Sequence, residues 1–206
     1  MNVRLSKSRI QSGRQCHKRL WLELHEPDQS NWSPAAQARL DEGTRFGELA
    51  RELLGGGVLI AADHLHAKEA LAETADHLSR PRSDIGMLFE PGFSHDDVRV
   101  RVDAFRRDED GDTLIEVKST TSVKDEHLWD CAIQTWVARG SGRPVVRVLH
   151  AHVDSTFVYR QEGHYDGLMK VEDITDQVET FVPRIPEIVQ SLKTVAAAPM
   201  PAITTG

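Results

Sequence analysis

The sequence predicts an α/β (α+β) protein in which a mixed central β-sheet is flanked by helices. Three observations lead to this prediction. Apolar residues recur at helical spacing in the first 80 positions, strict two-residue alternation runs through positions 98–106, and helical and strand-like segments alternate after position 118. The triple glycine at positions 55–57 is not followed by the Lys-Ser/Thr pair of a phosphate-binding loop. This order favours a mixed sheet over a Rossmann fold or a β-sandwich.

The boundaries of the elements follow from apolar spacing and from turn-forming residues. Helices are predicted at residues 6–25 (with Ser6 or Ser8 as the N-cap), 35–54, 66–78, 127–139 and 174–194, the last broken at Pro183 and Pro186. Strands are predicted at residues 58–61, 87–90, 98–106, 113–118, 144–152 and 156–160. We expect residues 1–195 to form a single domain, followed at 196–206 by a flexible tail or by the start of a missing C-terminal region.

The composition, with 39% hydrophobic and 28% charged residues, is typical of a soluble globular protein. No apolar run reaches the roughly 18 residues of a membrane span, and no apolar segment follows the basic N-terminus as it would in a signal peptide. We therefore expect a cytoplasmic protein with no membrane partner. The formal charge of −7 argues against nucleic-acid binding, unless basic residues are concentrated away from an acidic active site.

Basic residues are indeed concentrated at the N-terminus. Six of them occur in the first twenty positions, and the first acidic residue is Glu23. Basic side chains on a helix can contact phosphates without reading sequence. The candidate nucleic-acid contacts are therefore Lys7, Arg9, Arg14 and Lys18. A solvated helix face is the alternative interpretation.

A charged set interrupts the apolar hairpin that is predicted between positions 98 and 118. Glu116 and Lys118 share one face of their strand, because side chains in a strand alternate. The Asp-Glu-Asp-Gly sequence at 108–111 is a turn signal, and a two-residue loop there pairs Asp103 with position 116 or with position 118. In either register the three charged side chains lie on one side of the sheet. A three-residue loop without a bulge would separate them.

These residue types suit phosphodiester hydrolysis. Two carboxylates brought together repel each other unless a cation neutralises them. Beside a lysine at a strand end, Asp103 and Glu116 would form a hard-oxygen site suited to Mg²⁺ or Mn²⁺. Such a metal ion polarises a phosphate and lowers the pKa of water, and the Lys118 ammonium can offset charge that develops on phosphorus. A surface hairpin with an ordinary ion pair is the alternative.

The same residues resemble a known signature. The D…ExK…Q pattern of the PD-(D/E)XK nuclease superfamily is similar to Val102-Asp103-Ala104, Leu114-Ile115-Glu116-Val117-Lys118-Ser119 and Gln134. The RecB-like exonuclease branch, which includes the CRISPR-associated four-cysteine exonucleases, fits best. Similarity to an uncharacterised bacterial family of this branch comes from Leu5-Ser6-Lys7-Ser8, Cys16-x-x-Arg19-x-Trp21 and Glu42-Gly43-Thr44-x-x-Gly47-x-x-Ala50. The resemblance covers roughly residues 5–180 and implies a restriction-endonuclease-like core.

The resemblance also implies a set of metal ligands. Asp103 and Glu116 would bind the metal ion together with the backbone carbonyl of Val117. Glu90, at the end of the preceding strand, matches an acidic position that often completes the site. A strand-terminal surface acid is the alternative interpretation of Glu90.

The remaining catalytic positions follow from the same resemblance. Lys118 would position or activate water, and Gln134 would orient Lys118 or the substrate phosphate. The chain departs from the pattern at Gly47, where RecB-like enzymes often carry a metal-binding histidine. Glu48 could substitute for that histidine, although a glutamate on the helix surface is the simpler interpretation.

The cysteines and histidines raise further questions about metals. Some relatives hold an iron–sulfur cluster, which typically requires four thiolates, and only Cys16 matches such a position. We therefore expect no cluster in this chain, and we expect Cys16 and Cys131 to be small buried groups rather than a disulfide. His150 and His152 share one face of a predicted strand and are compatible with a metal site, but no third ligand is evident.

The sequence therefore predicts a Mg²⁺- or Mn²⁺-dependent deoxyribonuclease. The resemblance implies action on DNA ends or single strands, in DNA repair or phage defence, with a larger repair or defence complex as a partner. The alternative is a catalytically impaired nucleic-acid-binding or scaffold member of the same fold. The absent histidine and the acidic net charge favour this alternative, and the complete set of Asp, Glu, Lys and Gln argues against it.

Overall fold

The computed structural model describes residues 3–27, 33–62 and 65–202. Within these ranges the chain forms seven α-helices and nine strands. The helices are α1 (Lys7–Gln15), α2 (His17–His25), α3 (Pro34–Leu53), α4 (Ala67–Ser79), α5 (Asp125–Gly140), α6 (Thr175–Glu179) and α7 (Ile185–Ala197). The strands are β1 (Leu5–Ser6), β2 (Val58–Leu59), β3 (Met87–Phe89), β4 (Gly92–His95), β5 (Val98–Arg101), β6 (Ala104–Asp108), β7 (Gly111–Lys118), β8 (Val145–Val153) and β9 (Met169–Asp173).

The central sheet is mixed and has the strand order β2-β3-β6-β7-β8-β9. Strands β2 and β3 pair in parallel, as do β7 and β8, whereas the other neighbours are antiparallel. The long helix α5 connects β7 to β8, because parallel neighbours need a crossover connection. The predicted fold class is confirmed, and the arrangement is consistent with a restriction-endonuclease-like core.

Helices cover both faces of the central sheet because the apolar residues of β7 alternate. Leu114 belongs to the main core, which includes residues of α5 such as Ile133. Ile115, the next residue along, belongs to a smaller cluster on the other face, against which Leu54 packs at the end of α3. Strand β7 therefore lies between α5 and α3.

A second, three-stranded sheet has the order β1-β5-β4. The predicted strand 98–106 is wrong in one respect, because it divides into β5 and β6, which belong to different sheets. Val102 and Asp103 form the break, and the alternating buried residues run through it without interruption: Val98, Val100, Val102 and Ala104. The alternating pattern continues through the break, so the sequence carries no sign of it.

Other differences have similar local causes. The predicted helix 6–25 is interrupted at Cys16, which has an extended backbone (φ −160°, ψ 117°). No strand forms at 156–160; β9 occupies that sheet position instead, and β1 and β4 are additional. The segment 174–194 divides into α6, a 3₁₀ turn at Val182–Arg184, and α7. Because α7 extends to Ala197, the first two residues of the predicted tail are helical, and residues 203–206 lie outside the described residues.

The hairpin between β6 and β7 has the one of the two predicted registers that places Asp103 opposite position 116. Asp108 pairs with Gly111 around a loop of Glu109 and Asp110. If this register is extended by one pair beyond β6, Asp103 lies opposite Glu116.

Within the described ranges, no helix is both long enough and apolar enough to cross a membrane.

Candidate active site

Glu116 lies at the centre of a charged cluster near the end of β7. Its side chain is fully buried, and both of its carboxylate oxygens accept hydrogen bonds. The Lys7 ammonium lies 3.1 Å from Oε1 and 3.4 Å from Oε2, and Lys118 also donates to Oε1. Gln134 Nε2 donates to Oε2 at 2.5 Å. Glu116 therefore joins residues of α1, β7 and α5 in one cluster.

The charges of this cluster determine its protonation. Burial alone would raise the pKa of Glu116, but the adjacent Lys118 and Lys7 ammonium groups hold it well below its usual range. Burial alone would lower the pKa of both lysines, but the carboxylates of Glu116, Asp103 and Asp130 together outweigh burial and raise each pKa. At neutral pH the cluster therefore contains a carboxylate and two ammonium groups, all in their charged forms.

Asp103 supplies a second carboxylate. It lies in the break between β5 and β6, and its Oδ2 accepts a hydrogen bond of 2.7 Å from the backbone N–H of Val117. Burial and the nearby charge of Glu116 raise the pKa of Asp103 to about 7, against the opposing effects of Lys7 and Lys118. Asp103 is therefore partly protonated near neutral pH. A cation bound beside it would favour its ionised form.

A cavity of about 330 Å³ opens beside Asp103. Val117 and Glu90 line it from the sheet, and residues of α3 that include Glu48 line it from the other side. Glu90 has a φ of 59°, which residues other than glycine seldom adopt, and its N–H donates to the Asp103 carbonyl at 3.1 Å. The structure therefore brings Glu90 to the site, but its carboxylate pairs with Arg101 Nε at 2.9 Å.

The donor set at this strand end fits a hard divalent cation. Mg²⁺ is commonly held by one or two carboxylates and keeps several waters, and Asp103 with Glu116 supplies two carboxylates. Within the described part of the chain, no three His, Cys, Asp or Glu side chains are arranged to hold a metal ion. A cation here would therefore depend on two carboxylates, a backbone oxygen and water. Because both Glu116 oxygens are engaged, Lys7 or Lys118 would have to move when a cation binds.

The sequence-based site lacks Asp130, and it includes Lys7 only as a nucleic-acid contact and not as a partner of Glu116. Asp130 Oδ2 lies 3.7 Å from Lys118 Nζ, and its Oδ1 accepts from Gln11 at 2.8 Å. Asp130 lies four residues before Gln134 on α5, so the i,i+4 relation could have identified it. The contact of Lys7 with Glu116 spans 109 positions. No local pattern indicates that contact.

The histidines form a stack beside the carboxylates. His150 and His152 lie opposite Glu116 and Lys118 in the β7–β8 register, and the His127 ring stacks on His150 with centroids 4.8 Å apart. Burial, and then the proximity of His127, lower the pKa of His150 to about 4, so its buried ring is neutral at pH 7. His150 and His152 therefore share a face of β8, as predicted, and His127 adds a third imidazole ring beside His150.

The predicted nucleic-acid contacts occupy different places. Lys7 and Arg9 lie in the first turn of α1 and line a groove beside the cluster. The Arg14 guanidinium instead lies over the Trp129 ring, 3.5 Å from its centroid, and Lys18 lies on α2. The structure therefore brings Lys7 and Arg9 to the candidate site, whereas Arg14 and Lys18 are not among the residues that line the groove.

The two cysteines are both free thiols, so the expectation of no disulfide is consistent with the structure. Cys131 is fully buried, as predicted, and burial raises the pKa of its thiol. Cys16 is exposed at the junction of α1 and α2, which corrects the prediction of a buried group. The extended backbone at Cys16 holds it outside both helices, and for this reason helical periodicity does not report its exposure.

The raised pKa of Asp103 predicts a pH-dependent effect of Asp103→Asn on stability. Asp103 binds its proton more tightly in the folded state, where its pKa is about 7, than in the unfolded chain. Its ionisation therefore destabilises the fold as the pH rises from about 4 to about 7, by on the order of 2–4 kcal/mol. Asparagine does not titrate. In urea unfolding without metal, the stability advantage of the variant should grow over this range and level off above pH 7; a constant difference would contradict the account.

No family model matches the chain, and no curated protein does. Among solved structures, the chain is similar to SSO0001 over 98% of its own length and 89% of that protein, with 10% sequence identity and a TM-score of 0.42. It is also similar to an alkaline exonuclease (LHK-Exo) from Laribacter hongkongensis, over 94% and 92% of the two chains, with 14% identity and a TM-score of 0.34. At these levels of similarity, conclusions about function depend on the residues of the site itself.

Proposed function

We propose that this protein is a divalent-metal-dependent nuclease that hydrolyses DNA phosphodiester bonds. The observation that carries the proposal is the grouping of Asp103 and Glu116 with two lysines at one strand end. The proton on Asp103 near neutral pH would be replaced by a metal cation. Mg²⁺ or Mn²⁺ would be held by Asp103, Glu116 and the Val117 carbonyl, and by Glu90 only after it leaves Arg101. Cationic groups side by side suit a substrate whose reacting group is an anionic phosphate.

Each residue of the proposed site has a separate role in hydrolysis. When bound, Mg²⁺ or Mn²⁺ supplies a Lewis acid that stabilises charge on the phosphate and lowers the pKa of water. Lys118 stays protonated because its pKa is raised, so it orients the attacking water and offsets charge at phosphorus rather than removing a proton. Gln134 fixes the orientation of Glu116 by donating to Oε2. Lys7 becomes available to a phosphate once Glu116 binds a cation.

The substrate and the cellular setting belong to the same proposal. The basic first turn of α1, directly beside the carboxylates, supports a nucleic-acid substrate. Action on DNA ends or single strands, and a role in repair or phage defence within a larger complex, are supported by the sequence resemblance. The cytoplasmic location that the sequence composition leads us to expect is part of the same proposal.

A metal-free nucleic-acid-binding scaffold is the second candidate function. The observation that favours it is that Lys7, Lys118 and Gln134 already engage both oxygens of Glu116. In such a protein the two lysines would permanently replace the charge of a metal ion. Mn²⁺ binding separates the two functions, because a nuclease binds the ion with release of the Asp103 proton, whereas a scaffold does not.

The experiment that tests the proposed function is cleavage of a labelled single-stranded oligonucleotide by Lys118→Gln. Glutamine retains hydrogen bonding but lacks the charge, so the Mg²⁺-dependent rate should fall by about 10²- to 10³-fold. Lys124→Gln is the matched control, because the Lys124 side chain is exposed, and it should cleave at the unaltered rate. The proposal fails if the unaltered protein cleaves equally well in EDTA, or if Lys118→Gln retains the full rate.

A further inference from the structure

A basic groove of about 630 Å³ lies over the three-stranded sheet, next to the carboxylate cluster. Its basic lining residues are Arg4, Lys7, Arg9, Arg99 and Arg101. Of the described residues that line it, none is acidic. The chain as a whole has a formal charge of −7, so five positive charges in one groove mark it as an anion-binding surface.

Three of these arginines have guanidinium groups that are open to a ligand. Within the described ranges, no acidic side chain forms an ion pair with Arg4, Arg9 or Arg99. Arg9 donates to the Arg4 backbone carbonyl at 3.3 Å, and this single bond uses one of its donors. Arg99 lies in β5 and pairs with Ser94 through the backbone, so its side chain is not needed to hold the sheet.

The groove is continuous with the candidate active site through two of its residues. Lys7 lines the groove and contacts Glu116. Arg101 lines the groove and pairs with Glu90, which in turn lines the cavity beside Asp103. A ligand that fills the groove would therefore extend to the carboxylates.

We propose that this groove holds the sugar–phosphate backbone of a single DNA strand, whose reacting phosphate lies at Asp103 and Glu116. The inference rests on the proposed function and names the path of its substrate. Charge complementarity identifies the ligand as a phosphate chain, and the first turn of α1 adds a helix N-terminus, which favours anions. Phe93, an aromatic lining residue, is buried and offers no stacking surface, so binding depends on the backbone rather than on base sequence.

The dimensions of the groove favour one strand over a duplex. The segment that contains β1 and the start of α1 lies at one edge of the three-stranded sheet. Ala67, Ala70 and Leu71 of α4 line the groove near β4, at the opposite edge. The outer strands of a three-stranded sheet lie about 10 Å apart, so a groove bounded in this way is matched to a single backbone along the sheet.

The test is binding of a fluorescent single-stranded DNA oligonucleotide in EDTA, followed by anisotropy at several salt concentrations. Arg4→Gln and Arg99→Gln should each weaken binding about tenfold. Each should also reduce the slope of log K against log salt by about 0.7. Arg160→Gln, which alters an exposed arginine outside the groove, is the matched control and should bind as the unaltered protein does. Arg14→Gln and Lys18→Gln report on a helix-face contact instead.

The possible outcomes separate the groove from the nuclease activity. The proposed strand path is overturned if the unaltered protein binds no single strand, or if Arg4→Gln and Arg99→Gln both bind normally. It is also overturned if only Arg14→Gln and Lys18→Gln weaken binding. Tighter binding of a blunt duplex, or of RNA with the same sequence, would overturn the stated occupant. Binding through the groove without Mn²⁺-dependent cleavage would remove the proposed nuclease function, and with it the reacting phosphate, but would leave the single strand as the ligand of the groove.

Discussion

Asp103→Asn is expected to abolish metal-dependent cleavage, reducing the rate by at least about a thousandfold, which corresponds to about 4 kcal/mol. The amide is nearly isosteric with the carboxyl group and its oxygen can still accept from the Val117 N–H. It lacks the negative charge that would hold a divalent cation beside Glu116. The substitution therefore removes the proposed metal site while the backbone contact that orders the strand break remains. Cleavage and Mn²⁺ binding measured on the same preparation test this expectation.

Asp112→Asn is the matched control for this variant. Asp112 is a buried aspartate of β7, but it lies at the opposite end of that strand from Glu116 and pairs with Arg143 Nε at 2.8 Å. Its replacement should lower the free energy of unfolding by a few kcal/mol, because Arg143 loses its carboxylate. The folded fraction should cleave normally. Equal loss of cleavage in both variants would show that the effect comes from damaged packing rather than from the site.

Glu116→Gln is expected to have the largest effect on stability, lowering the free energy of unfolding by about 3–5 kcal/mol. The substitution leaves the partly buried Lys7 and Lys118 ammonium groups beside a neutral amide. It should also abolish cleavage, since Glu116 is one of the two proposed carboxylate ligands. Urea unfolding at pH 7 measures the stability, and the variant protein should be assayed well below its unfolding midpoint.

A double-mutant cycle shows whether Lys7 belongs to this cluster. Adding Lys7→Met to Glu116→Gln removes one unpaired cation, so the double variant should be more stable than Glu116→Gln alone. Lys124→Met in the same background is the control, because Lys124 is exposed and its removal should not restore stability. Strictly additive effects of Lys7→Met and Glu116→Gln would mean that the contact contributes nothing.

Local patterns predict the part of the site that is local in sequence. Side-chain alternation and the turn at 108–111 place Asp103 opposite Glu116 or Lys118, and the observed pairing of Asp108 with Gly111 selects Glu116. Gln134 reaches the cluster from α5, but it donates to Glu116, whereas the resemblance implies that it orients Lys118 or the substrate phosphate. These relations depend on strand and helix geometry, which a sequence carries directly.

The remainder of the site depends on contacts that no periodicity encodes. Lys7 meets Glu116 only because β1 pairs with β5 and brings the start of α1 to the central sheet. The break at Asp103 is invisible because buried residues alternate through it. The segment 156–160 has strand-like residues but remains an exposed loop, whereas the more polar β9 pairs with β8. Pairing partners decide these cases, and propensity is the weaker influence.

The most direct test of the proposed metal site is the anomalous difference density of a crystal soaked in Mn²⁺. The account predicts a peak roughly 2.0–2.2 Å from carboxylate oxygens of both Asp103 and Glu116, with Lys7 or Lys118 displaced from Glu116. A crystal at saturating Mn²⁺ that has no peak between the two carboxylates, with both lysines still bonded to Glu116, would contradict it and favour the metal-free scaffold.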